Sequence, residues 1–119
     1  MAVRIKRAYE ASAADDGYRV LIDRLWPRGR RKEDLRLDVW LKDLAPSREL
    51  RTWFGHDPAR WSEFQTRYGR ELRRASAREP LRDLARRAER GTVTLVFGAK
   101  DAEHSNAAVL KAIIERAQT

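Results

Sequence analysis

The chain contains no cysteine. It therefore has no disulfide framework, no thiol nucleophile and no thiolate metal site. It also lacks a long apolar run. Its aliphatic residues are interleaved with charge, and nothing approaches the roughly 18–20 consecutive apolar residues that a membrane span needs. No apolar h-region follows Met1-Ala2-Val3-Arg4, so the start does not read as a signal peptide. There is no P-loop, no GxGxxG after a strand, no GxSxG and no HExxH, so no motif names a cofactor or a metal. Internal repeats, low-complexity segments and domain linkers are absent as well. A cytoplasmic protein with no membrane partner is expected, with residues 1–119 forming one domain.

What the chain does have is positive charge. Its 26 Lys and Arg outnumber its 18 Asp and Glu, for a net charge of +8. Such a balance raises the prospect of a nucleic-acid partner. However, Arg far outnumbers Lys, and many Arg stand beside acids on expected helix faces, as in Arg70-Glu71, Arg82-Asp83 and Glu89-Arg90. The bulk of the charge therefore reads as a solvated surface.

The spacing of apolar residues predicts alternating strands and helices. Val3 to Ala8 alternates apolar and basic, with the period of a strand. Asp15-Asp16-Gly17 is a turn, and Tyr18 to Arg24 reads as a buried strand broken at Trp26-Pro27-Arg28-Gly29. Arg30 to Asp34 is a charged connector with room for one helical turn. Leu35, Leu37, Val39 and Leu41 alternate strictly, which favours a strand, although Leu37, Trp40, Leu41 and Leu44 also fit a helical face. Ser47 is a good N-cap for a helix carrying Leu50, Trp53 and Phe54. Asp57-Pro58 starts another helix, with Trp61, Phe64, Tyr68 and Leu72 on one face. Glu79-Pro80 opens a further helix, closed by Gly91. Thr92 to Phe97 is the clearest buried strand, and a final amphipathic helix carries Ala107, Val109, Leu110, Ile113 and Ile114. This order predicts an α/β fold: a small, mostly parallel sheet of about four strands with helices on both faces.

Three segments that end expected strands are rich in polar groups. They are Asp23-Arg24 through Arg28, Lys42-Asp43, and Lys100-Asp101 through Asn106. Parallel strands would bring all three to one sheet edge, where open α/β sheets bind ligands. Arg offers a planar fork for carboxylate or phosphate, and Lys a point charge. Asp23, Arg24, Arg28, Lys42, Lys100, Asp101 and Asn106 are thus the candidate ligand-binding residues. The two histidines, His56 and His104, are the candidates for proton transfer because imidazole titrates near neutrality. Blander roles remain open for each. Asp23-Arg24 also reads as an ion pair at the sheet edge, Lys100-Asp101 as a charged helix start, and His56 as a residue that fixes its turn. Trp53, Phe54, Trp61, Phe64 and Tyr68 read as core. Together these residues point to an anionic small molecule held in a basic cleft. The alternative is a nucleic-acid or interaction module that uses the basic surface.

The blocks Asp23-Arg24-Leu25-Trp26-Pro27-Arg28-Gly29, Trp40-Leu41-Lys42-Asp43-Leu44-Ala45-Pro46-Ser47, Trp53-Phe54-Gly55-His56-Asp57 and Ala99-Lys100-Asp101-Ala102-Glu103-His104-Ser105-Asn106 resemble the YeaO-like branch of the domain-of-unknown-function family numbered 488. The resemblance covers nearly the whole chain. Many members of the wider family carry a Leu-Leu-Cys strand and a Cys-His-Arg step near the C-terminus. The matching positions here are Phe97 and Ser105-Asn106-Ala107. A thiol or redox role in such members is therefore not implied for this chain, whereas the basic strand ends and His104 are retained.

Overall fold

The computed structural model describes residues 2–117. Four strands form one all-parallel sheet: β1 (Ala2–Arg7), β2 (Tyr18–Leu21), β3 (Val39–Trp40) and β4 (Thr92–Phe97). Their order across the sheet is β1-β4-β2-β3. The helices are α1 (Lys32–Leu35), α2 (Arg48–Phe54), α3 (Trp61–Glu71), α4 (Ala75–Arg90) and α5 (Asn106–Ala117). The α/β architecture expected from the alternation of elements is present. Among the described residues no helix is long and apolar enough to cross a membrane.

The two sheet faces are covered unequally. Val3, Val20, Ile22, Val93, Leu95 and Phe97 pack in one core with residues of α2, α3, α4 and α5. Leu21 and Val96 point the other way and meet Ala8 and Leu35, the latter from the single turn of α1. The period-two alternation of strand side chains produces this split. The connections that lead from β1 to β2 and from β2 to β3 run in one direction across the sheet, and the return from β3 to β4 carries α2, α3 and α4 on the first face. A single crossover handedness demands that outward and return connections use opposite faces.

Capping fixes where several elements begin. The Ser47 hydroxyl accepts a hydrogen bond from Leu50 N at 3.1 Å and starts α2. Glu71 at the end of α3 holds that cap in turn, accepting from Ser47 N at 2.7 Å and from its hydroxyl at 2.5 Å. Asp57 accepts from Ala59 N at 3.0 Å, and Pro58 stands at the first position of a 3-10 turn that runs into α3. Gly17 precedes β2 with φ +66, and a Cβ there would meet the Thr92 carbonyl oxygen at 2.2 Å. Only glycine fits this turn.

The structure corrects two expectations. The alternating segment from Leu35 to Leu41 is not one strand. Leu35 ends α1, Arg36 takes a left-handed conformation at φ 46, and only Val39–Trp40 pair with β2. Leu35 and Leu37 pack on the second face while Val39 and Leu41 pack on the first, so the chain must break between them. The second correction concerns α4, which starts at Ala75 and not at Glu79-Pro80. Ala77 is 1% exposed, and its burial draws the helix start back by more than a turn. Pro80 then loses one bond, to the carbonyl of Ser76 four residues earlier, and Ser76 is open to water.

Three charged side chains pack against the second face. Arg19 Nη1 donates to Asp16 Oδ2 at 2.6 Å, and Lys6 Nζ lies 3.0 Å from Asp16 Oδ1. Arg19 Nε donates to the Leu35 carbonyl at 2.9 Å, and Thr94 Oγ1 donates to the Asp16 carbonyl at 2.6 Å. This network ties β1, β2, β4 and α1 together.

Candidate functional site

Because β2 and β4 are parallel neighbours with Leu21 opposite Val96, their C-terminal ends finish side by side. The residues that follow, Ile22-Asp23 and Gly98, form the floor of the site. Asp23 Oδ2 accepts from Gly98 N at 2.8 Å. Asp23 Oδ1 accepts from Asn106 Nδ2 at 3.0 Å, and the same amide donates to the Ile22 carbonyl at 3.2 Å. On the other side, Trp40 Nε1 donates to the Asp23 carbonyl at 2.6 Å. A Cβ on Gly98 would lie 3.2 Å from Asp23 Oδ2, so a glycine keeps this approach close. Burial pushes the Asp23 carboxyl above its ordinary pKa, against the opposing pull of the Asn106 and Gly98 hydrogen bonds and the Arg51 charge.

Above this floor opens a cavity of about 790 Å³. Of the residues singled out in the sequence, Asp23, Arg24, Asn106, His56 and His104 line it. Arg28, Lys42, Lys100 and Asp101 are not among its lining residues. The Arg28 carbonyl accepts from the Tyr9 hydroxyl at 2.9 Å, at the far side of the Trp26-Pro27 turn. Lys42 Nζ sits 4.1 Å from the centroid of the Trp40 ring, a cation–π contact. Lys100 is exposed. Asp101 acts through its neighbour, with Oδ2 lying 2.6 Å from His104 Nδ1.

That hydrogen bond from His104 holds the Asp101 carboxyl below its ordinary range, with smaller help from the Glu103 and His104 backbone amides. The His104 ring also stands edge-on to Trp61, with centroids 5.1 Å apart. Its orientation is thereby fixed, and Nε2 is the nitrogen without a protein partner among the described residues. His56 follows Gly55 in the loop after α2. Both take left-handed backbone conformations, at φ 57 and φ 54, and the His56 ring lies 6.1 Å from that of Phe54.

The sequence reading missed one wall of the cavity. Arg48, Arg51 and Thr52 of α2 line it, together with Pro46 just before the helix. A signal for them was present. Leu50 and Phe54, four apart, face the core, so Arg48, Arg51 and Thr52 at three- and four-residue spacing share another face. The direction of α2 came from the Ser47–Glu71 clasp, which no local pattern discloses. Among the described residues, Arg24, Arg48 and Arg51 form no ion pair within 4.0 Å. Asp23 likewise pairs with Asn106 and Gly98, so the alternative of an Asp23–Arg24 ion pair does not describe this edge.

Trp53, Trp61 and Phe64 belong to the core side of the helices, as expected of them. Phe64 is 2% exposed and stacks on Phe54 with centroids 4.3 Å apart. Trp61 and Trp53 are half-buried, and Trp53 is flanked by the guanidinium groups of Arg60 and Arg67 at 5.4 and 4.3 Å.

The arrangement has the groups to hold an anion and one His–carboxylate pair for moving a proton. Its serine is not set up as a nucleophile. Ser105 Oγ donates to the Ala102 carbonyl at 2.8 Å and accepts from Ala108 N at 3.2 Å, which makes it the cap of α5. Among the described residues no group of three or more His, Asp or Glu is placed to hold a metal ion.

Comparison with known proteins places the chain by sequence. An uncharacterized protein of Mycobacterium tuberculosis is 46% identical over 112 residues, covering 94% of this chain and 92% of that one. An uncharacterized protein of Mycobacterium bovis matches to the same extent. The uncharacterized protein YeaO of Escherichia coli is 40% identical over 110 residues, covering 92% of this chain and 94% of its own. No solved structure matches the chain. The family model described as the inactive DUF488-N3 subclade matches residues 2–119, and the chain belongs to that family.

Proposed function

We propose that the chain binds an anionic small molecule in the cavity at the C-terminal ends of β2 and β4. The observation that carries this reading is the set of three guanidinium groups, Arg24, Arg48 and Arg51, lining one cavity without an ion-pair partner among the described residues. Elsewhere many arginines have a carboxylate within reach. Arg67 pairs with Glu63, Arg87 with Asp83, and Arg82 and Arg86 with Glu79. Cations gathered around an open volume lower their mutual repulsion when an anion enters, and a positioned Arg–anion contact is charge-assisted.

A binding role also accords with the description of the family as inactive. The cavity lacks a thiol, and its serine is occupied as a helix cap. Phosphate and carboxylate compounds titrated into the protein by calorimetry test the reading. Micromolar to millimolar binding of at least one of them, weakened at least tenfold by Arg51→Ala, is the expected result. Binding confined to RNA or DNA and falling steeply with salt would replace the pocket with a diffuse basic surface.

A further inference from the structure

We infer that the anion is a mononucleotide: a phosphate carried on a hydroxyl-bearing sugar with a flat ring attached. The inference rests on the proposed anion site and adds what the other cavity walls ask of the ligand.

The first clue is the carboxyl of Asp23. It lines the same cavity as the three guanidinium groups. A bare phosphate gains nothing from a carboxylate and is repelled by it. Each Asp23 oxygen accepts one protein hydrogen bond, from Gly98 N or Asn106 Nδ2. A carboxylate oxygen can accept two, so acceptor capacity remains on both. The Asn106 side-chain carbonyl is a further acceptor on the same floor. A ligand that suits this floor brings hydrogen-bond donors beside its anion, and a pair of vicinal sugar hydroxyls is such a group.

The second clue is size. A cavity of about 790 Å³ lies in the range that holds a whole small organic ligand and is far larger than a phosphate ion fills.

The third clue is the remaining wall. His56 and His104 line the cavity, with Phe54 beside the His56 ring and Trp61 beside the His104 ring, and Phe64 packed against both of these aromatic neighbours. Phe54 and Phe64 are 5% and 2% exposed and present little surface of their own. The histidine rings are the accessible flat surfaces. Opposite in character is Leu25, which lines the cavity and is 63% exposed. A flat, unsaturated ring placed against these side chains would bury Leu25 and stack on imidazole. Guanidinium groups for a phosphate, acceptors for hydroxyls and flat surfaces for a ring are the three complements of a mononucleotide.

The test is calorimetric titration of the whole protein with adenosine 5′-monophosphate, uridine 5′-monophosphate, adenosine, inorganic phosphate and a 5′-phosphorylated oligonucleotide. The expected result is that a mononucleotide binds at least tenfold more tightly than both phosphate and adenosine. Arg51→Ala should weaken mononucleotide and phosphate together. Asp23→Asn should weaken the mononucleotide several-fold while phosphate binds as well as before or more tightly, because the repelling charge is gone. Should Asp23→Asn fail to fold, Leu25→Ser provides a surface substitution with the same expected selectivity. Equal affinity for phosphate and mononucleotide overturns the inference and leaves the anion site standing. Tighter binding of the oligonucleotide overturns it in favour of an RNA end. Binding of none of the five overturns it. If a panel of carboxylates then binds, the anion site survives without the nucleotide, and if that panel also fails, the anion site falls too.

Discussion

Asp16, Lys6 and Arg19 on the second sheet face and Asp23, Arg24, Arg48 and Arg51 at the strand ends use the same residue types in opposite arrangements. In the first cluster a carboxylate lies 2.6 Å from one cation and 3.0 Å from the other, with Asp16 and Arg19 buried at 2% and 4% exposure. In the second the carboxylate is committed to an amide and a backbone N–H, and the cations surround an open cavity without ion-pair partners among the described residues. The contrast separates two uses of charge. Charges paired with one another inside the protein tie neighbouring elements together, and removing one partner strands the other in the interior. Charges left to an open volume are available to something that is not part of the protein.

The first cluster gives the largest expected effect. Asp16→Ala leaves Arg19 buried without its carboxylate, and breaking a buried pair on one side costs about 3–5 kcal/mol. Urea unfolding should show this loss in full, and a cost below about 1 kcal/mol would mean that the cluster is not what holds the strands. The equivalent substitution in the cavity, Arg24→Ala, should leave stability nearly unchanged and reduce ligand affinity at least tenfold, since a positioned charge-assisted contact is worth about 1.5–3 kcal/mol. If Arg24→Ala instead destabilises the fold as Asp16→Ala does, the contrast between the regions fails.

A finer comparison is the pH response of Asp23. Its pKa is raised in the fold by burial, so between the ordinary value of 3.8 and the native value the folded state holds more protons than the unfolded one. Its contribution to stability is therefore most favourable below pH 3.8 and declines as pH rises through the native pKa. Asp23→Asn cannot ionise. The stability of the native protein relative to this variant should fall as pH increases across that window, as measured by thermal unfolding at a series of pH values. A relative stability that rises instead would mean that the hydrogen bonds from Asn106 and Gly98 outweigh burial. The smallest effect is expected at Arg74, half-exposed beside Glu71 at 3.5 Å. Arg74→Ala should change stability by about 0–1 kcal/mol and ligand affinity hardly at all. An affinity loss matching that of Arg24→Ala would show that net charge, and not position, governs binding.

Strand and helix identity were legible wherever the signal lies within a few residues. Thr92 to Phe97, the Ser47 cap and the Asp57-Pro58 start each follow from short-range chemistry. The segment from Leu35 to Leu41 was misread because its leucines serve two faces of the sheet, and alternation alone cannot tell one strand from a helical turn followed by a short strand. The start of α4 was misread because a buried Ala77 outweighs the bond that Pro80 forfeits.

The amino-acid sequence by itself determined that polar residues follow two strongly apolar strands, that no thiol takes part, and that strands and helices alternate as in a mostly parallel α/β sheet. Only the tertiary structure decided which of those polar residues meet. Parallel pairing of β2 with β4 set Asp23 against Gly98, and the start of α5 brought Asn106 onto the same carboxylate. The clasp of Ser47 by Glu71, 24 residues away along the chain, aimed Arg48 and Arg51 at a cavity that local spacing could not reveal. Local patterns are set by interactions within a few residues. The site is assembled from strand ends and one helix that are distant in the chain, and only long-range packing fixes their relative positions.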